Sequence, residues 1–305
     1  MLAFLFPGQG SQTVGMGKDL TDNFPLARQT FEEANDALGF DLAALCYNGP
    51  EDELKLTANT QPAILAVSVA ALRVVRNETG LVPNYAAGHS LGEYSALVCA
   101  GALDFADALR TVRQRGTFMQ EAVPVGTGAM AAILGLDRAV CEDVCSRVAE
   151  GQVVAPANFN GGGQVVIAGH AEAVQRAVEL AKSAGAKRAL PLPVSAPFHC
   201  ELMAPAGERL AAVLEQVDVR PMQLPVVSNV EARPNQDAGR VRDLLVTQVS
   251  APVRWEESMQ TLLDLGADRF VEIGPGKVLA GLIKRMAREA SVQNVQESRD
   301  LATLV

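Results

Sequence analysis

The stretch AAGHSLGEYSALVCAGAL at residues 86–103 decides the fold of this chain. Small residues lead into the pentapeptide GHSLG at 88–92, and an amphipathic helical pattern follows. A G-x-S-x-G sequence between a strand and a helix is typical of the nucleophile elbow, a tight turn that exposes a serine hydroxyl. The free N–H groups at the start of that helix can face a developing oxyanion. The pattern predicts an α/β fold in which Ser90 is a candidate nucleophile.

The rest of the chain alternates short apolar runs with helical patterns, which favours an α/β architecture. Between residues 125 and 195 the order is strand, helix, strand, strand, helix, strand, the split βαβ order of a ferredoxin-like unit. We therefore expect a small subdomain at 125–195, inserted into a large α/β subdomain formed by 1–124 and 196–305. The last clear strand is predicted in DRFVEIGPGK at 268–277.

Composition excludes several classes of protein. The 305 residues carry a net charge of −9, whereas general nucleic-acid binders are basic. No apolar run approaches the length of a membrane span, so no membrane partner is expected. The five cysteines are odd in number and scattered, which argues against a disulfide framework and for a reducing, cytoplasmic location. Cys141 and Cys145 have no further ligands nearby, so no metal site is predicted.

A serine nucleophile needs a base, and the chain offers three histidines. His89 is adjacent to Ser90, so its side chain should point elsewhere and form a wall or structural contact. His170 stands at a predicted helix start, where a surface or capping role is expected. His199 lies in the proline-stiffened segment VSAPFHCELM and is the best candidate base. No acid between Ser90 and His199 ends a convincing strand, so a backbone carbonyl could orient the imidazole in a Ser–His dyad.

A predicted helix at 104–122 places an arginine where a charge is costly. Arg115 falls between Val112 and Met119, on or beside the apolar face. A buried guanidinium needs a partner. The spacing leaves two interpretations open: a structural arginine, in an ion pair or reaching solvent, or a planar site for the carboxylate of a substrate.

The glycines near the amino terminus, in FPGQGSQTVGMG at 6–17, do not complete a dinucleotide fingerprint. Thr13 replaces the third glycine, and the segment in which a second strand should end in an acidic residue, FPLARQTFEEANDALGF at 24–40, has a helical pattern instead. No nicotinamide cofactor is therefore expected. The backbone N–H of Gln9 could instead face that of Leu91, because two such donors make an oxyanion hole.

An ordered set of motifs resembles the malonyl-CoA:acyl carrier protein transacylase family over nearly the whole chain. The motifs are FPGQGSQ (6–12), GHSLGE (88–93), RQRG (113–116), PANFNGGGQVVIAG (156–169), LPVSAPFHC (192–200), SNV (228–230), QVSAPVRW (248–255) and EIGPGKVLAGLIKR (272–285). Each motif alone is weakly specific, whereas the ordered set is highly specific. The resemblance implies a hydrolase-like large subdomain with a parallel-sheet core and an inserted ferredoxin-like small subdomain.

The resemblance also implies a role for each candidate residue. Ser90 would attack the thioester of malonyl-CoA, and His199 would accept its proton. Arg115 would bind the malonyl carboxylate, and the main-chain carbonyl of Gln248 would orient His199. The malonyl group would then pass to the phosphopantetheine thiol of acyl carrier protein, in a ping-pong reaction without a metal or bound cofactor.

Further expectations concern the pocket and the partners. The backbone N–H groups of Gln9 and Leu91 would form the oxyanion hole, and Met119 and Phe198 would line the acyl pocket. Bulky Phe198 should disfavour a methyl branch, and so favour malonyl over methylmalonyl groups. We expect a monomer that binds malonyl-CoA, CoA and acyl carrier protein. Candidate basic residues for the acidic carrier protein are Lys182, Lys187, Arg188, Lys284, Arg285 and Arg288.

Three alternatives stay open on the sequence. The first is the same transfer in a polyketide pathway rather than in fatty acid synthesis. The second is a serine carboxylesterase or thioesterase, which would use a triad acid and a neutral acyl pocket. The third is a non-catalytic docking module for carrier proteins, in which Ser90 and His199 are relics.

Overall fold

The computed structural model describes residues 1–194 and 196–304. Its strands are β1 (Leu2–Phe6), β2 (Tyr85–Gly88), β3 (Gly128–Leu134), β4 (Val154–Gly161), β5 (Gln164–His170), β6 (Arg188–Pro191), β7 (Val226–Val227), β8 (Pro234–Asn235), β9 (Arg269–Ile273) and β10 (Ser291–Val295). Its α-helices are α1 (Lys18–Asn23), α2 (Pro25–Leu38), α3 (Leu42–Asn48), α4 (Glu51–Lys55), α5 (Thr57–Thr79), α6 (Gly92–Cys99), α7 (Phe105–Glu121), α8 (Arg138–Val148), α9 (Ala171–Ser183), α10 (Ala204–Leu214), α11 (Val241–Ser250), α12 (Trp255–Asp264) and α13 (Val278–Met286).

A six-stranded sheet in the order β10-β9-β1-β2-β7-β8 forms the centre of the large region. Its pairs are parallel except for β7 with β8. The central strand β1 is apolar along its whole length and buried over 3–6, as expected for a parallel strand covered on both faces. Ser90 follows the carboxyl end of β2, the edge at which open α/β sheets bind ligands.

The second sheet has four strands in the order β4-β5-β3-β6, and its pairs are antiparallel. With α8 and α9 it forms the predicted βαββαβ unit, which has its own apolar core. A parallel sheet beside a separate antiparallel sheet confirms the predicted fold class. The subdomain boundaries at 124/125 and 195/196 stay a prediction. Ser195, in the predicted small subdomain, and Val305, in the predicted large one, lie outside the described residues.

The two regions are joined through the outer strand of the small sheet. Asn158 on β4 forms a parallel bridge with Val253. The N–H of Phe159 donates to the carbonyl of Val253 at 2.9 Å, and the N–H of Val253 donates to that of Ala157 at 2.8 Å. Main-chain hydrogen bonds therefore attach this edge of the small sheet to the loop that precedes α12.

Helix α7 begins as the sequence predicts, with the Asp104 side chain accepting from the N–H of Ala106 at 3.0 Å. Helix α5 ends at Gly80, whose φ of 66° suits glycine. The prediction that the strand in 268–277, here β9, is the last one was wrong, because β10 follows it. In β10, whose sequence is SVQNV, only Val295 is buried, so the strand lacks the apolar pattern that identifies one.

Helix α5 also corrects the expectation that no apolar stretch approaches a membrane span. It has 23 residues, and an 18-residue window in it has a mean hydropathy of 1.3. Of that window, 89% is buried inside the protein. A core helix passes the same test of length and composition, and α5 packs against α2 and α7 in the large region.

All five cysteines are free and buried, three in the large region and two on α8. Burial raises the pKa of the Cys46, Cys99 and Cys145 thiols to about 12. The same cause raises the pKa of Cys141 and Cys200 to about 11. Their thiols are therefore protonated in the folded protein at neutral pH.

Candidate active site

The turn at Ser90 has the strained geometry of a nucleophile elbow. Ser90 has a φ of 52°, in the left-handed region that a non-glycine residue rarely adopts. A Cβ placed on Gly88 would lie 1.9 Å from the carbonyl carbon of Gly92. One on Gly92 would lie 2.1 Å from the carbonyl oxygen of Phe6. Both glycines are therefore required by the close passage of β1, β2 and α6.

The nucleophile and the base predicted from the sequence meet in the structure. The Oγ of Ser90 lies 2.7 Å from Nε2 of His199, and Nδ1 of His199 lies 2.8 Å from the carbonyl oxygen of Gln248. Since that carbonyl can only accept, the Nδ1–H donates to it and Nε2 is left to accept the serine proton. His199 too has a left-handed φ, of 60°.

The surroundings of His199 keep its imidazole neutral. The side chain is buried, with 4% of its surface exposed. Burial and the positive charge of Arg115 lower the pKa of His199 to about 3, while the hydrogen bond to Gln248 opposes this change. A neutral imidazole is the form that can accept a proton from the serine hydroxyl.

Arg115 is buried beside the nucleophile, with 1% of its surface exposed. Its Nη1 donates to Oε1 of Gln61 at 2.8 Å, and its Nη2 donates to Oε1 of Gln248 at 2.9 Å and to Oγ of Ser90 at 3.1 Å. Among the salt bridges of residues 1–194 and 196–304, none involves this guanidinium. In this part of the chain, Arg115 therefore has neither the ion pair nor the solvent exposure that a structural arginine would be expected to have.

Two neutral amide oxygens hold Arg115 without cancelling its charge. The guanidinium also lies over the ring of Tyr94, 5.7 Å from the centroid. Its Nε is buried and has no hydrogen-bond partner in the described part of the chain. A buried guanidinium without an ion-pair partner attracts an anion strongly. Because Arg115 lies beside Ser90, this anion would belong to the acyl group of a substrate.

A cavity of about 610 Å³ opens onto these side chains. Both regions line it, the large one through Gln9, Leu91 and Met119, and the small one through Met130 and Asn158. Its volume is in the range of small-molecule sites. Phe198 lines the same cavity and is 8% exposed.

Within residues 1–194 and 196–304, the backbone N–H groups of the two predicted oxyanion donors have no internal acceptor. Among the hydrogen bonds of the residues that the structure describes, none uses the N–H of Gln9 or of Leu91. The side chain of Gln9 donates to Oγ1 of Thr57 at 3.2 Å, which helps to fix this loop. Both residues border the cavity at Ser90, so their donors remain available to a bound group.

Sequence reasoning missed a layer of polar residues behind the elbow. Oδ1 of Asn229 accepts from the N–H of Ser90 at 2.7 Å, and its Nδ2 donates to the carbonyl of Gly88 at 2.7 Å. Glu93 accepts from the N–H of Asn229 at 3.1 Å. Glu93 and Asn229 stand in the quoted motifs GHSLGE and SNV, which were the available signal.

The other two histidines have structural contacts. Nε2 of His89 lies 2.9 Å from Oδ1 of Asn160, and its ring packs against Trp255. His89 also borders the cavity, so it forms part of the wall. Nδ1 of His170 accepts from the N–H of Val153 at 2.9 Å, within the small region.

The described residues contain no group of three or more His, Cys, Asp or Glu side chains placed to hold a metal ion. The basic candidates for a carrier protein are exposed on both regions. Lys284 and Arg285 lie on α13, and Lys182 lies on α9. A Cβ on Gly162 would lie 3.3 Å from Cδ of Arg285, so α13 abuts the turn between β4 and β5.

Comparison with known proteins gives consistent results. The sequence matches the acyl transferase domain family over residues 3–304. It is 54% identical over 300 residues to the malonyl CoA-acyl carrier protein transacylase of Escherichia coli (strain K12), covering 98% of this chain and 97% of that protein.

Solved structures agree with this result. The malonyl CoA-acyl carrier protein transacylase from Coxiella burnetii superposes with a TM-score of 0.98 at 46% identity, over 100% of this chain and 96% of that one. A malonyl-transacylase solved in complex with a type II polyketide synthase acyl-carrier protein, PlMCAT with holo AntF, superposes with a TM-score of 0.97 at 53% identity, over 99% and 98% of the two chains.

Proposed function

Since this chain belongs to the malonyl-CoA:acyl carrier protein transacylases of the acyl transferase family, we propose that Ser90 is the residue that carries the malonyl group between its two substrates. The protein is an acyltransferase that moves malonyl from malonyl-CoA to acyl carrier protein. This transfer supplies the extender unit for fatty acid synthesis. The roles of the individual residues below are our proposal.

In the first half-reaction, Oγ of Ser90 attacks the thioester carbon while Nε2 of His199 accepts the hydroxyl proton. The 2.7 Å separation of these two atoms and the Nδ1–H bond to Gln248 support this assignment. The backbone N–H groups of Gln9 and Leu91 donate to the oxyanion. The carbon–sulfur bond then breaks, and the imidazolium returns its proton to the CoA thiolate.

The observation that carries the choice of substrate is the buried guanidinium of Arg115, 3.1 Å from the nucleophile. A malonyl group has one methylene between its thioester carbon and its carboxylate. A cation that recognises this carboxylate must therefore lie within a few ångström of the attacked carbon. Gln61 and Gln248 hold Arg115 there without neutralising it, which supports its role as the carboxylate clamp.

In the second half-reaction, the phosphopantetheine thiol of acyl carrier protein attacks malonyl-Ser90. His199 accepts the thiol proton, the new carbon–sulfur bond forms, the ester bond to Oγ breaks, and the proton passes to Ser90. Met119 and Phe198 shape the acyl side of the pocket. We propose that the transfer needs no cofactor, because the chain's own residues supply every proton and charge that it requires. We also propose that the chain works as a monomer, and in the cytoplasm, since its cysteines are free.

The polyketide alternative keeps one supporting observation, the similarity to a malonyl-transacylase solved with a type II polyketide synthase carrier protein. The chemistry at Ser90 would be the same in both pathways. The carrier protein that discharges malonyl-Ser90 faster would identify the acceptor.

The test is an intact-mass measurement after brief mixing with malonyl-CoA in the absence of carrier protein. We expect an adduct of malonyl mass on the wild type and none on Ser90→Ala. The adduct should form much more slowly on Arg115→Ala and should disappear when holo acyl carrier protein is added. Arg110→Ala is the matched control, because Arg110 lies on the exposed face of the same helix and pairs with Asp107.

Three outcomes would contradict the proposal or part of it. Rapid release of free malonate without an adduct would indicate the hydrolase alternative. Neither adduct nor turnover would indicate the non-catalytic docking module. Equal acylation of the Arg115→Ala and Arg110→Ala variants would contradict the role of Arg115 as the carboxylate clamp, but not the role of Ser90 as the nucleophile.

A further inference from the structure

We propose that Glu93 is a positioning residue that makes the site selective for acyl groups carrying a carboxylate, by holding the Gln248 amide in the orientation that Arg115 needs. This inference rests on the proposed function, because it concerns the same clamp. Glu93 touches neither Ser90 Oγ nor His199, and it acts through Gln248.

Glu93 is a buried carboxylate in the first turn of α6, with 3% of its surface exposed. Its Oε2 accepts from Nε2 of Gln248 at 2.8 Å and from the N–H of Asn229 at 3.1 Å. In the described residues no cation lies within salt-bridge distance of it. A carboxylate this deep would ordinarily be paired, so its hydrogen bonds to the site require an explanation.

The amide of Gln248 connects this carboxylate to the guanidinium. Its NH₂ group donates to Glu93 and to the carbonyl of Ser90, at 3.0 Å, while its oxygen accepts from Arg115. The reversed amide would place donor against donor at Arg115 and acceptor against acceptor at Glu93. Glu93 and Arg115 therefore select the same orientation of one side chain.

The charges act in the same direction. Burial raises the pKa of Glu93 to about 7, and the hydrogen bonds from Gln248 and Asn229 and the charge of Arg115 oppose that rise. The charge of Glu93 reaches the guanidinium only through one intervening amide. No carboxylate of the described residues is therefore bonded to Arg115 in the place of a substrate carboxylate.

The effect should fall on the clamp rather than on the base. His199 is held by the main-chain carbonyl of Gln248, which is fixed in α11 whatever its side chain does. Without Glu93, the NH₂ group of Gln248 keeps only the carbonyl of Ser90, and the amide oxygen becomes a less firmly fixed acceptor for Arg115. Recognition of a carboxylate should weaken, whereas attack on a neutral acyl group should change little.

The experiment is a competition between malonyl-CoA and acetyl-CoA for Ser90, read by intact mass on the wild type, Glu93→Ala and Glu93→Gln. We expect Glu93→Ala to lower the malonyl-to-acetyl ratio by about tenfold or more, the size of one hydrogen bond to a charged group. Glu93→Gln keeps one acceptor oxygen, so its malonyl-to-acetyl ratio should lie between those of the wild type and Glu93→Ala.

Glu272→Gln is the matched control. Glu272 is also fully buried, and its carboxylate accepts from the N–H groups of Leu279 and Ala280 at 3.1 and 2.8 Å, away from Arg115. This variant should leave the malonyl-to-acetyl ratio at the wild-type value. A general loss of stability would reduce both acylations together, which the ratio does not register.

The inference is overturned if the Glu93 variants lose malonyl and acetyl transfer in equal proportion, because Glu93 would then be structural. If Glu93→Ala does not fold, the nearly isosteric Glu93→Gln decides by the same criterion. A wild type that forms no malonyl adduct would instead contradict the proposed function, so the two failures are distinguishable.

Discussion

The two regions of the molecule bury different kinds of side chain. At the carboxyl edge of the large sheet, the interior holds a connected set of polar groups: Ser90, Glu93, Arg115, His199, Asn229 and Gln248. The core under the small sheet is apolar and includes Ile133, Val144, Ile167 and Val178. Buried polar groups are costly unless they are hydrogen-bonded, so the large region accepts a cost that the apolar core of the small region avoids.

The difference indicates a division of labour. Every group that we assign to proton transfer or carboxylate binding comes from the large region or from the segment returning to it. The small region supplies part of the cavity wall, through Met130 and Asn158, and reaches the elbow through the hydrogen bond between Asn160 and His89. Substitutions in the large region should therefore change the rate of acyl transfer. Substitutions in the small region should change the shape of the cavity or the stability of the fold.

The largest expected effect compares two histidines, one from each region. His199→Ala should slow acylation of Ser90 by malonyl-CoA by about 10²- to 10⁴-fold, the usual contribution of a general base. His170→Ala should leave this rate unchanged, because its Nδ1 accepts from the N–H of Val153 within the small region. Rapid-quench measurement of the malonyl adduct gives both rates. Similar slowing in both variants would break the division of labour.

The next effect concerns the wall at Phe198, on the segment between the two regions. Phe198→Ala should raise the methylmalonyl-to-malonyl ratio of Ser90 acylation by about 10- to 100-fold, since one methyl clash discriminates by ~1–3 kcal/mol. The gain should come from faster methylmalonyl transfer, with the malonyl rate little changed. Competing the two thioesters and weighing the protein measures the ratio. An unchanged ratio would show that another side chain excludes the branch.

A smaller effect tests which region receives the carrier protein. Lys284→Glu with Arg285→Glu should raise the KM for holo acyl carrier protein by about three- to tenfold and leave the KM for malonyl-CoA unchanged, because surface charges mainly steer association. Lys182→Glu with Lys187→Glu is the counterpart on the small region and should have less effect. Steady-state transfer at low ionic strength measures all four constants. Equal rises for both substrates would exclude α13 as the docking face.

The smallest change is expected when pH is varied. The lowered pKa of His199, about 3, keeps its imidazole neutral at pH values where a free imidazole would be protonated. The acylation rate should therefore fall by less than about twofold from pH 7.5 to 5.5, whereas a base with an ordinary pKa of about 6.5 would lose about tenfold.

This measurement is best made on Glu93→Gln, because burial raises the pKa of Glu93 to about 7 and would add a second titration in the same range. A tenfold loss in that variant would mean that the imidazole titrates normally and is more exposed to water than the structure shows.

The sequence predicts well where one local pattern determines the structure. GHSLG fixes the elbow because glycine alone fits on both sides of Ser90, and Asp104 starts α7 because its carboxylate caps the helix. The family and the α/β fold class were also predicted correctly. The roles of the site residues stay predictions, although the structure brings both His199 and Arg115 within hydrogen-bonding distance of Ser90.

What the sequence could not predict depends on contacts between distant residues. Asn229 reaches Ser90 across 139 positions, and Gln248 reaches Glu93 across 155. No periodicity encodes such a pair, because each partner lies in a segment whose own pattern is satisfied without it. The strand β10 was not predicted for a different reason. It pairs with β9 through main-chain groups, and its side-chain pattern gives no sign of this pairing.

The buried cysteines give the molecule built-in reporters of local opening. A thiol reagent attacks the thiolate, and the raised pKa values of Cys46, Cys141 and the other cysteines leave almost none of it while the fold is closed. Labelling at neutral pH must then wait for opening, so its rate counts how often each region exposes its interior. Cys141 and Cys145 report on the small region, and Cys46, Cys99 and Cys200 report on the large one. A time series of mass spectra would thus separate local opening of the small region, which forms part of the cavity wall, from local opening of the large region, which holds the catalytic residues.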